Sequence, residues 1–227
     1  MGPAIDASLY WTDEPAEVSF RRVCDYLLAR GLELVRDNVG AEPAYFITSS
    51  QRVPRSQKPR ASRAAPSKVG VFCSWMSTEA RERGDHSPID ISWGDATLPD
   101  TPAHELQQSG LRDYHFFTDL CRSLNPLYAE LAGENATECA YDVLHGRRPY
   151  APATLYCRDV LLGDDASAFW STYVYSESLG EGTYGTDLML WNPRRKGTRI
   201  LGSSPPERGK LFRAAVHRAY RSQFGKH

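Results

Sequence analysis

Few residues of this sequence stand at spacings that do chemistry. Cys73, in Phe72-Cys73-Ser74-Trp75, sits beside a hydroxyl and a short way before Asp85-His86. A thiolate nucleophile needs such a base or cation nearby to lower its pKa, whereas a buried cysteine is simply a small apolar side chain. His104-Glu105-Leu106-Gln107-Gln108 begins like a zinc-protease helix, but glutamine stands where the second histidine would have to be. The six histidines show no ligand spacing with one another or with a cysteine. No GxSxG elbow is present, and the acids Asp164-Asp165 and Glu138/Asp142 are ordinary surface pairs as readily as acid–base pairs. Leu179-Gly180-Glu181-Gly182-Thr183-Tyr184-Gly185 fits GxGxxG and resembles a kinase glycine loop, yet no catalytic lobe can follow in the few residues left. A glycine-rich β turn is the reading its context supports. Metal and cofactor are therefore not expected, and an enzyme is the less favoured class, with Cys73, His86 and His145 as the residues to watch.

Charge is more informative. From Arg52 to Lys68 the chain carries six cations, no anion and three prolines, which predicts a flexible basic loop. Set apart from the chain's 27 cations, those six leave 21 against 28 anions, a remainder of −7. Basic arms bind nucleic-acid phosphates through counterion release, but this one has no aromatic to stack a base. Between Gly84 and Leu111 the balance is reversed: Asp85, Asp90, Asp95, Asp100 and Glu105 stand without a Lys or Arg among them, and Trp93 lies in their midst. Acid steers a basic partner and an exposed aromatic anchors it. These six residues are the predicted partner-binding set. The other reading of Trp93 is that it ends a strand and packs in the core.

The elements that would position these groups follow from periodicity. Phe20, Val23, Cys24, Leu27 and Leu28 make the stripe of a core-facing helix running from Pro15 to Gly31, with Thr12 or Asp13 as its cap. A second helix is predicted from about Leu111 to Leu124, with Phe117, Leu120, Cys121 and Leu124 on one face, stopped by Asn125-Pro126. A closing helix follows Pro205-Pro206 with Leu211, Phe212, Ala215, Val216 and Ala219 inward, and 166–173 reads as a short helix. Strands are expected at 7–11, 32–36, 44–48, 69–75, 89–93, 154–162, 187–191 and 198–201. Grouped strands without a βαβ rhythm point to one α+β domain over 1–227, a mostly antiparallel sheet with three main helices packed on one side. The longest apolar run is four residues, too short to span a membrane, and the N-terminus has no signal-peptide pattern. Five cysteines without CxxC spacing suit a reducing cytoplasm.

Leu9-Tyr10-Trp11 leading into a helix, Phe116-Phe117 leading through Leu124-Asn125-Pro126-Leu127-Tyr128, and a last strand, proline turn and helix over 198–224 together resemble bacterial polymorphic-toxin immunity proteins of the immunity protein 52 family. Thr12 stands where that family has a glycine after Tyr-Trp. The resemblance implies a cytosolic protein that neutralises a cognate toxin by occluding its active site, with no catalytic residue of its own. The alternatives carried beside it are a small enzyme with an unrecognised site and nucleic-acid binding through 52–68.

Overall fold

The alternation of Ile5-Asp-Ala-Ser-Leu-Tyr10 makes strand β1 (Ile5–Tyr10), and everything else is arranged around it. A computed structural model describes residues 5–11, 14–30, 33–37, 44–48, 68–73, 89–93, 103–133, 151–194, 208–215 and 218. The strands after β1 are β2 (Glu33–Asp37), β3 (Ala44–Thr48), β4 (Lys68–Cys73), β5 (Ile89–Trp93), β6 (Tyr128–Gly133), β7 (Thr154–Arg158), β8 (Tyr175–Ser178) and β9 (Gly182–Thr186). They form one nine-stranded sheet in the order β2-β3-β4-β5-β1-β6-β7-β9-β8, with every neighbouring pair antiparallel. β1 is the central strand. The α-helices among the described residues are α1 (Ala16–Ala29), α2 (Ala103–Leu124), α3 (Ala166–Trp170) and α4 (residues 208–215).

Two crossovers set the layers. α1 carries the chain from β1 to the far edge strand β2, and α2 carries it from β5 over β1 to β6. Both helices bury their stripes on the same face. Val23 and Leu27 of α1 and Phe117, Leu120, Cys121 and Leu124 of α2 meet Ala7 and Leu9, Ile89, Ile91 and Trp93, Ala129 and Leu131, and Tyr156 and Tyr184 from five strands. The opposite face is covered at its β7–β9 end by α3 and α4, where Phe169 and Phe212 stack at 5.3 Å over Leu155 and Cys157. The α+β class and antiparallel sheet agree with the sequence. One detail differs: the closing helix lies on the face opposite α1 and α2, because Tyr128 of β6 and Leu155 and Cys157 of β7 offer a second apolar surface there.

α2 starts eight residues earlier than its periodicity predicts. Its first turns hold His104, Gln107, Gln108 and Gly110, which lack the apolar stripe that marks the helix from Leu111 onward. Gly110 is required by close approach: a Cβ there would lie 2.1 Å from the Leu190 carbonyl oxygen. The helix ends where Asn125 takes a left-handed conformation (φ 46°) and its amide bonds the Cys121 carbonyl at 2.9 Å. α1 is capped by Pro15 with no side-chain cap bond, and Thr12 and Asp13 lie outside the described residues. Residues 187–191, predicted as a strand, instead form a 3₁₀ turn at Met189–Trp191. The preceding strand β9 already supplies the extended segment, and the Trp191 carbonyl turns in to accept from Tyr184 Oη at 3.0 Å. Of the predicted basic loop, 52–68, only Lys68 is described, as the first residue of β4; the rest of the loop and the strand predicted at 198–201 lie outside the described residues.

The glycine-rich string is the β8–β9 hairpin. Gly180 takes φ +103° in the turn, where Leu179 N–H bonds the Gly182 carbonyl at 2.8 Å. Gly185 leaves room for the Trp170 ring, which would lie 2.8 Å from a Cβ. No helix follows the glycines, so no phosphate cradle forms there.

Candidate functional site

The period of two in β5 divides its residues between environments. Ile89, Ile91 and Trp93 enter the core under α2, and Asp90 and Ser92 point to the second face. The same alternation puts Asp6, Ser8 and Tyr10 of β1 and Tyr128 and Glu130 of β6 on that second face. Ser8 pairs in register with Asp90 on one side and with Glu130 on the other. Asp6 stands diagonally to Asp90, opposite Ser92. Three carboxylates from three central strands therefore surround one buried hydroxyl.

Their environments differ. Glu130 is only 2% exposed, and Tyr128 Oη donates to its Oε2 at 2.8 Å. Burial first, and then the Glu130 charge, pushes the Tyr128 hydroxyl well above its ordinary range. Asp90 is half-buried. Burial pushes its carboxyl up to about 6, the bond from Ser8 pulls it down, and the Asp6 charge raises it. Taking a carboxylate out of water disfavours its charged form, so the fold holds Asp90 at a cost in stability at neutral pH.

This site overlaps only in part with the set expected from sequence. Asp90 belongs to it. Trp93 does not: it is 2% exposed, donates Nε1–H to Asp113 Oδ1 at 3.0 Å and meets Phe116 edge-on at 4.9 Å. It is a core residue, because it falls on the inward phase of β5, and it offers no anchor to a partner. Glu105 is exposed in the first turn of α2, on the other side of the sheet from Asp90. Asp85, Asp95 and Asp100 lie outside the described residues. Asp90 and Glu105 thus do not share a surface, since a strand and a helix carry them to opposite layers. Asp6, Ser8 and Glu130 were missed. Their signal is the polar phase of alternating strands, Asp6-x-Ser8 and Tyr128-x-Glu130, which charge-run counting passes over.

Nucleophile and metal chemistry find little support among the described residues. Cys24, Cys121 and Cys157 are free and buried. Burial raises the Cys24 thiol to about 11 and the other two well above the ordinary range. No group of three His, Cys, Asp or Glu side chains among the described residues could hold a metal ion. The Cys73 side chain, His86 and His145 lie outside them. Among the described residues no helix is long and apolar enough to cross a membrane.

A second polar group holds the layers together. Arg208, at the start of α4, is fully buried. Its guanidinium pairs with Asp187, which follows β9, donates through Nε to Thr172 Oγ1 at 2.8 Å and through Nη2 to the Thr172 carbonyl, and lies 3.7 Å from the Tyr173 ring centre. Asp187 also accepts from the Val174 amide at 3.2 Å. This network pins α4 to the second face beside the acidic row.

Compared with protein-family models, with curated proteins and with solved structures, the chain finds no match.

Proposed function

We propose that the chain is a binding protein for a basic protein partner, recognised through Asp6 and Asp90 on the second face of the sheet. The observation that carries this reading is Asp90, a carboxylate kept half-buried beside another acid on a central strand. A residue that lowers stability where an asparagine would fit is the kind of local conflict that folds retain for function. Charge of this sort sets the rate of encounter and rejects acidic competitors. The likeness of Leu9-Tyr10-Trp11 and Phe116-Phe117 to immunity proteins supports a bacterial toxin as the partner, neutralised in the cytoplasm by occlusion of its active site.

The experiment is an affinity pull-down from host lysate at physiological salt, with three baits: the native chain, Asp6→Asn/Asp90→Asn, and Glu105→Gln. One stoichiometric basic protein is expected on the native and Glu105→Gln baits and absent from the double variant. Recovery of no protein partner, or equal recovery on the double variant, overturns the reading. One observation favours a second reading: a carboxyl near 6 is suited to general acid–base work at neutral pH. Turnover of a small substrate that disappears in Asp90→Asn, without any protein partner, would establish it.

A further inference from the structure

After β7 the chain makes two 3₁₀ turns, Asp159–Leu161 and Gly163–Asp165, before entering α3. Leu161 and Leu162 turn inward into the second-face core, while Val160 stays 54% exposed. α4 lies against these turns, and beyond it Arg218 reaches back to pair with Asp165. A cavity of about 410 Å³ opens between the two, within the range of small-ligand sites. Val160, Leu162 and Ala215 form its apolar wall, and Asp164, Asp165 and Arg218 supply its charged groups.

The charges decide what fits. Arg218 is already matched by Asp165, so the cavity offers no spare cation to an anionic ligand. Asp164 has no ion pair or hydrogen bond among the described residues and leaves the three groups with a net charge of −1. A ligand that satisfies both the carboxylate and the apolar wall has a cationic head on an aliphatic stem.

We propose that this cavity binds an alkylammonium group, its ammonium on the Asp164 carboxylate and its methylene chain along Val160 and Leu162. That chemistry belongs both to free aliphatic amines and to the lysine side chain. The site lies apart from the β5–β1–β6 acidic row and does not depend on the binding reading above.

The test is a titration of the full chain, labelled with nitrogen-15, followed by amide chemical shifts. The probes are n-pentylammonium, methylammonium, 1-pentanol, cadaverine and N-acetyl-lysine methylamide. Saturable shifts confined to the 160–165 turns and to the chain around Ala215 and Arg218 are expected with n-pentylammonium at roughly millimolar concentration. Methylammonium, which has no stem, and 1-pentanol, which has no charge, are expected to bind at least about tenfold more weakly. Asp164→Asn, at an exposed position, should weaken n-pentylammonium by a similar factor with the rest of the spectrum unchanged. Tighter binding of cadaverine than of the lysine amide assigns the site to free amines, and the reverse order assigns it to a protein lysine. Absence of saturable shifts, equal binding of 1-pentanol, or undiminished binding by Asp164→Asn overturns the proposal.

Discussion

Replacing Arg208 by methionine tests how α4 is held. The guanidinium is fully buried and satisfies three kinds of acceptor at once: the Asp187 carboxylate, the Thr172 hydroxyl and carbonyl, and the Tyr173 ring. Methionine fills much of the same volume without charge. It leaves Asp187, itself 5% exposed, with the Val174 amide as its remaining protein donor in this network. Breaking a buried pair in this way destabilises by about 3–5 kcal/mol, because the surviving charge is uncompensated. That is a large part of the roughly 5–15 kcal/mol available to a folded domain. At about 2–4 °C per kcal/mol for a chain of this size, the midpoint should fall by roughly 6–20 °C. Urea and thermal unfolding followed by far-ultraviolet circular dichroism would read both quantities. Arg208→Lys should recover little, since a single ammonium cannot reach Asp187 and both Thr172 acceptors with the geometry of a guanidinium fork. Arg208→Met combined with Asp187→Leu should recover most of the loss, because no charge is then stranded. A loss below about 1 kcal/mol in Arg208→Met, or a double variant as unstable as the single one, would refute the reasoning. By contrast, the Arg218–Asp165 pair is 62% and 37% exposed, and its removal should change stability by no more than about 1 kcal/mol.

Asp90→Asn should stabilise the chain at neutral pH. The folded carboxyl, at about 6, holds its proton more tightly than the unfolded one near 3.9, so its contribution is fully present below about pH 4 and is lost as pH rises through 6. Urea unfolding should therefore show a gain on the order of 2–3 kcal/mol at pH 7.5 and none at pH 4; equal effects at both would contradict it. Gly110→Ala, which in an open helix would add about 1 kcal/mol, should instead cost about 1–3 kcal/mol by driving a methyl into the Leu190 backbone, measured as a lowered thermal midpoint. In a Cys73→Ser/Cys139→Ser variant, the remaining thiols Cys24, Cys121 and Cys157 should resist an aromatic disulfide reagent at pH 8 in the folded state and all react in denaturant, since burial keeps them protonated.

What the sequence made legible divides along physical lines. Segments whose pattern matches one period over a full element were read correctly: Ala44–Thr48 and Ile89–Trp93 to the residue, and the α2 stripe Phe117, Leu120, Cys121 and Leu124 as core. Segments held by tertiary packing were not. The first turns of α2 owe their position to the Leu190 backbone behind Gly110, and nothing local announces that. β6, β8 and β9 carry Glu130, Glu177, Gly182 and Gly185, residues with poor strand propensity, and were passed over although β6 lies next to the central strand. The acids fared likewise. Counting charges along 84–111 finds a run, but a run in sequence spans a strand and a helix on opposite layers, so Asp90 and Glu105 part company. The true neighbours of Asp90, Asp6 and Ser8, come from a strand more than eighty residues earlier.

The place of these acids in the sheet bears on how they would act. β1 is hydrogen-bonded on both sides, as is β5, so the backbones under Asp6 and Asp90 are fixed before any partner arrives. A partner meeting charge on a loop must order the loop as it binds, and part of the attraction is offset by lost conformational freedom. A partner meeting Asp6 and Asp90 would forfeit little of that, and the short side chains add few rotamers to freeze. Removing the charges should therefore act chiefly on the encounter: a slower association rate, a shallower dependence on salt and an unchanged fold. An effect confined to dissociation would instead place these two acids inside a desolvated interface. There the stability gained by Asp90→Asn in the free protein would stand against the attraction that its carboxylate supplies in the complex.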